Sequence, residues 1–129
     1  MDKSISYLKI LFHILVLLLI IFSLYPGSIL GFVIHGDFKL QPKFTEDFFN
    51  ISSNHFYIYA IISFLGFFSY LRDNKFKLIV IYLFFLAVIL ELLQLLISER
   101  SFQISDLIGN ILGVSVIYIF ILIYKFWKK

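Results

Sequence analysis

Residues 91–113 read ELLQLLISERSFQISDLIGNILG, and this stretch decides how the chain is built. Glu91 and Gln94 lie three apart inside an apolar run. Arg100 and Ser101 follow in a short link. Asp106 and Asn110 lie four apart where the next apolar run begins, and Gly109 and Gly113 are also four apart. An acid or amide inside a run this apolar is costly to bury in a bilayer, so it marks a working site with a partner. The flanking runs are then two membrane-spanning helices, and Gly109-x-x-x-Gly113 lets a neighbouring helix approach closely.

Working outward, the same pattern recurs. The chain has 129 residues, 61% of them hydrophobic and 15% charged, with a mean hydropathy of +0.99. Soluble domains are nearer half apolar and a quarter charged. Four apolar runs, at about 7–25, 55–71, 78–97 and 107–124, each approach the ~20 residues that span a bilayer core. They do not alternate as barrel strands do. The expectation is one all-α domain over residues 1–129, a bundle of four transmembrane helices.

Pro26 and Gly27 stop the first run. His13 within that run reads either as a histidine near the membrane face or as a polar contact between helices. Between the first and second runs, Lys43 to Ile51 predicts a short interfacial helix. Thr45 would cap it, Glu46 and Asp47 would sit in its first turn, and Phe44 and Phe49 would staple it. Arg72-Asp73-Asn74-Lys75 is a tight polar turn. Trp127 with Lys125, Lys128 and Lys129 is an interfacial anchor.

Lysine and arginine divide eight to three. Lys3, Lys9, Arg72, Lys75, Lys77, Lys125, Lys128 and Lys129 fall on one side; Lys39, Lys43 and Arg100 fall on the other. The positive-inside rule puts both termini in the cytoplasm. His55 then opens an inward-running helix, and Glu91 lies ~9 Å below the outer end of its own helix. The polar groups converge from separate elements at one level of the outer leaflet.

Each group carries a chemistry. Arg100 can clamp a phosphate or carboxylate. Glu91, Gln94 and Asn110 can wall a polar cleft, with Ser101 and Asp106 beside it. His55 and Tyr59, four apart, share a helix face and would form the rim. His55, Glu91 and Asp106 are the right types for a metal, but no H-x-x-x-H or H-E-x-x-H spacing supports one, so neither metal nor cofactor is expected. Cysteine is absent, which excludes thiol nucleophiles, disulfides and Cys-ligated metals. There is no G-x-S-x-G and no phosphate-binding loop. The net charge of +3 sits at the helix ends and forms no nucleic-acid patch.

In these residues the chain resembles the VanZ-like membrane proteins. The likeness rests on His55 with Tyr59, on Glu91-x-x-Gln94, on Arg100-Ser101-Phe102, on Asp106-x-x-x-Asn110-x-x-Gly113, and on the Tyr25-Pro26-Gly27 exit. Ile51 and Ser52 stand where the family often has Asp-Lys, Ser98-Glu99 where it often has Pro-Gly, and Gln103 where it is often acidic. The resemblance implies a bacterial cell-envelope protein of the inner membrane, in a family whose namesake is associated with low-level teicoplanin resistance. The expected function is to hold an anionic amphiphile in the outer leaflet, either a lipid-linked cell-wall intermediate or a lipoglycopeptide antibiotic. The alternatives are an enzyme on a lipid phosphate, with Glu91 or His55 as base, and a structural subunit of an envelope complex. Expected partners are that lipid, and a membrane protein or a second copy of the chain.

Overall fold

The computed structural model describes residues 3–128, and its architecture is all-helical. In chain order it has α1 (Lys3–Leu24), α2 (Ile29–His35), α3 (Ser53–Ser69), α4 (Phe76–Leu93) continued by a 3-10 turn (Gln94–Leu96), and α5 (Ile104–Trp127). Three segments are long and apolar enough to cross a membrane: α1, α4 with its turn, and α5. α3 has 17 residues, which at the helical rise is ~26 Å.

α3 is the axis of the molecule. Its buried residues, among them Tyr59, Ile62, Ser63, Gly66 and Phe67, recur at helical spacing. It packs most extensively on α5. α1 is peripheral and buries only Phe12 and Val16. Phe12 is seated on Gly66, where a Cβ would come 2.7 Å from its Cε2. The outer surface is studded with large apolar side chains such as Leu17, Ile81 and Phe120. An outward apolar surface this extensive marks contact with lipid or partners rather than water.

Tertiary contacts gather most of the basic groups at one end. Lys9 pairs with Asp73 in the α3–α4 turn. Lys125 lies 3.4 Å over the Phe76 ring. Arg72 and Lys128 line one cleft with Tyr124. Lys129, the last residue of the expected anchor, lies outside the described residues. Of the two readings of His13, the structure shows the polar contact, with its Nε2 2.9 Å from the hydroxyl of Tyr70, which follows α3. Tyr70→Phe should therefore cost roughly 0.6–1 kcal/mol, as interhelical hydrogen bonds do. Unfolding in mixed detergent micelles, wild type against variant, measures it.

A short helix does lie between α1 and α3, but not over Lys43–Ile51. It is α2, capped by Ser28, whose hydroxyl accepts from Gly31 N at 2.9 Å, and closed by Gly36 with φ 71°. The expected helix at Lys43–Ile51 is replaced by a strap with a tight reversal. Phe48 and Ile51 exchange backbone hydrogen bonds, while Phe49 and Asn50 adopt φ of 49° and 60°. Two left-handed residues in a row end any right-handed helix. No staple forms, since Phe49 is 96% exposed.

The physical reason lies in competition for the polar groups. Asp47 accepts from Ser53 N at 3.2 Å and from Lys43 Nζ at 2.6 Å. Ser53 Oγ donates to Thr45 O at 2.9 Å. Asn54 donates to Pro42 O and accepts from Phe44 N. Asp47, which read as part of a first helical turn, instead ties the strap to the start of α3. Those contacts hold the Asp47 carboxyl below the usual aspartate range, chiefly through the Lys43 hydrogen bond.

Candidate functional site

The α3–α5 crossing makes the site. Gly109 faces the start of α3, where a Cβ would lie 2.7 Å from Ser52 O and 3.2 Å from His55 Cβ. Ser52 N also donates to Ser105 O at 3.2 Å. Backbone-to-backbone approach of this kind needs glycine. It brings His55 of α3 beside Asp106 and Asn110 of α5.

Asn110 then orients the histidine. Its side chain is 1% exposed, and its Nδ2 donates to the Ala87 carbonyl of α4 at 3.1 Å. That bond fixes the amide, so Oδ1 is the atom 2.8 Å from His55 Nδ1. An amide oxygen only accepts, so Nδ1 carries the proton. Nε2 is left pointing at Asp106 Oδ2, 3.5 Å away.

Glu91 enters from α4. It is 1% exposed, and its Oε1 accepts from Gln103 N at 3.2 Å. Among the described residues it has no ion pair. Asp106 Oδ1 accepts from Ser105 Oγ at 3.4 Å. One ligand-type atom from each of His55, Glu91 and Asp106 lies within 4.8 Å of the other two. A trio that local sequence spacing could not suggest is thus assembled from three helices.

Arg100 is built into the structure more firmly than its loop position implies. Its Nη2 donates to Phe22 O at 2.7 Å and its Nε to Tyr25 O at 3.1 Å. These are carbonyls at the C-terminal end of α1, where unpaired acceptors and the helix dipole favour a cation. Burial pulls the guanidinium down from its ordinary pKa, and the nearby Glu91 and Asp106 carboxylates push it back up. Nη1 makes no hydrogen bond among the described residues.

These groups close one end of a cavity of about 400 Å³. Its walls are apolar, from Leu15, Leu19 and Phe22 of α1, Ile58 and Ile62 of α3, and Leu90 of α4. Its polar end is His55, Glu91, Gln94, Arg100 and Asn110, and Asn54 with Pro42 of the strap also line it. Asp106 stands behind His55 rather than on the wall.

Two expected site residues are placed differently. Tyr59 lines the cavity from inside the bundle rather than at its mouth: it is 2% exposed, and its hydroxyl donates to Leu86 O at 3.3 Å. One turn into α3, its ring already lies within the bundle. Ser101 is exposed and, among the described residues, accepts only from Gln103 Nε2, at 3.5 Å, away from the cavity. Asn54 and the Gln103 backbone N–H were not foreseen. An Asn reaching back twelve residues leaves no local trace, and a backbone donor leaves none at all.

The family model described as VanZ/LLP1 matches residues 10–127, a span that includes every residue of this site. No curated protein and no solved structure matches the chain.

Proposed function

The chain belongs to the VanZ/LLP1 family, and from that premise we propose that it is a four-span protein of the bacterial inner membrane that holds an anionic amphiphile in the outer leaflet. α3 would be the fourth span, enclosed by the three longer helices. The basic end of the bundle would face the cytoplasm with both termini. The cavity would then open at the outer level.

The observation that carries this reading is the cavity's polarity. A long apolar wall ends in a cluster of buried polar groups, which is the outline of an acyl or polyprenyl tail with a charged head. Arg100 would meet the anionic group with its unbonded Nη1 edge. Glu91, Gln94 and Asn110 would receive hydroxyl or amide groups beside it. A lipid-linked cell-wall intermediate and a lipoglycopeptide antibiotic share this chemistry, and the second would connect the site to glycopeptide resistance.

Native mass spectrometry of protein released from bacterial membrane tests the reading. Wild type should retain a polyprenyl or other anionic lipid. Glu91→Gln should lose most of it, because the amide puts a donor where the cavity presents an acceptor. Equal retention by both would reduce the bound lipid to generic annular lipid and would favour the structural-subunit reading.

One observation favours a second reading, an enzyme acting on a lipid phosphate. A fixed Nδ1–H leaves Nε2 as the basic atom, the arrangement a general base needs. Labelled polyprenyl phosphates incubated with purified protein and separated by chromatography would give product only under this reading.

A further inference from the structure

We propose that His55, Glu91 and Asp106 form a binding site for one divalent transition-metal ion at the polar end of the cavity. Three independent features converge on it. The first is spacing. His55 Nε2 and Asp106 Oδ2 are 3.5 Å apart. That is long for a direct hydrogen bond, but two ligands on one tetrahedral ion at ~2.1 Å each lie ~3.4 Å apart. With all three groups inside 4.8 Å, the remaining gaps close by at most about 1.4 Å on the same ligand geometry.

The second feature is the support behind each ligand. Metal-binding histidines donate their other N–H to a fixed acceptor, and ligating carboxylates are themselves hydrogen-bonded. His55 Nδ1 donates to Asn110 Oδ1, which the Ala87 carbonyl locks. Glu91 Oε1 accepts from Gln103 N. Asp106 Oδ1 accepts from Ser105 Oγ. Every ligand thus has one atom held by a hydrogen bond, and His55 Nε2 and Asp106 Oδ2 face each other.

The third feature is charge. Two carboxylates converge here, Glu91 fully buried and Asp106 mostly so, and neither pairs with Lys or Arg among the described residues. Arg100 lies near both but directs its hydrogen bonds to α1 carbonyls rather than to either carboxylate. Two close carboxylates in a low-dielectric setting are matched in charge by a bound dication. One imidazole with two carboxylates suits Zn²⁺ or Mn²⁺. Three protein ligands leave a coordination position open on a tetrahedral ion. If an anionic amphiphile occupies that cavity, which rests on the function proposed above, the ion and Arg100 would bracket its head group.

The test uses full-length protein in detergent, stripped with chelator and free of added lipid, so that its outcome is independent of amphiphile binding. Titration calorimetry with Zn²⁺ and with Mn²⁺ should give one ion per chain. His55→Gln and Asp106→Asn should each weaken binding by about tenfold or more, and Asn110→Ala by ~10–100-fold through lost orientation of His55. Pulsed electron paramagnetic resonance on the Mn²⁺-loaded wild type should report one coupled imidazole nitrogen, a readout that needs no variant to fold. The site is overturned by the absence of stoichiometric uptake, by uptake unchanged in His55→Gln and Asp106→Asn, or by Mn²⁺ bound without nitrogen coupling. Metal uptake without lipid retention in mass spectrometry would uphold the ion site and sink only the amphiphile.

Discussion

Gly113→Leu should dismantle the candidate site without touching any of its polar residues. A Cβ at position 113 would come 2.5 Å from Phe56 O, 2.9 Å from Ala60 N and 3.0 Å from Tyr59 Cβ. Two of these three atoms are backbone, so no rotamer change on α3 makes room. Even one added carbon in a packed interface costs ~1–3 kcal/mol, and leucine adds three more. The α3–α5 crossing would have to open. His55 would then part from Asn110 and Asp106, because the first rides on α3 and the other two on α5. The expected result is a large loss of stability in detergent-unfolding measurements, together with loss of metal uptake and lipid retention. Phe120→Leu, on the exposed face of the same helix, should change none of these. A Gly113→Leu protein with wild-type stability and lipid retention would show that the close crossing does not hold the site.

That dependence explains what could be read from sequence. The period of an α-helix is fixed, so Asp106 with Asn110 and Gly109 with Gly113 can be placed on faces from spacing alone. The cost of polar groups in an apolar run singles out Glu91 and Gln94. Helix periodicity and burial cost act locally, so the all-helical architecture and most of the site were visible. Partners far along the chain were not. Thr45, Glu46 and Asp47 carry a good helix-start signal, yet Asp47 and Thr45 are claimed by Ser53 at the start of α3. Which competitor wins depends on where α3 sits, and spacing does not encode that. The helix face of Tyr59 is legible from its spacing to His55, but its depth in the cavity is not. The His55–Glu91–Asp106 trio was set aside for want of a compact motif. Metal-ligand spacings identify sites built on one helix or loop, and this trio is drawn from three helices.

Arg100→Ala should have two separable effects, and Arg100→Lys divides them. The first effect is on stability. The guanidinium donates to Phe22 O and Tyr25 O, which straps the α4–α5 link to the end of α1. Losing two charge-assisted bonds at a helix C-terminus should cost about 2 kcal/mol, because the freed carbonyls lie near the chain exit and can find water. The second effect is on the ligand. A buried cation facing an anionic head typically contributes about tenfold or more in affinity, as charge-assisted bonds do. Alanine should therefore lower both unfolding stability and retention of anionic lipid in native mass spectrometry. Lysine keeps the charge but has no planar fork to serve two carbonyls at once. It should recover much of the lipid while leaving most of the stability deficit. If alanine lowers stability but retains lipid as wild type does, Arg100 is only the strap, and the anion must be met by the metal site or not at all. If lysine recovers neither property, the fork geometry itself is what the cavity requires, as in bidentate recognition of a phosphate by a single arginine.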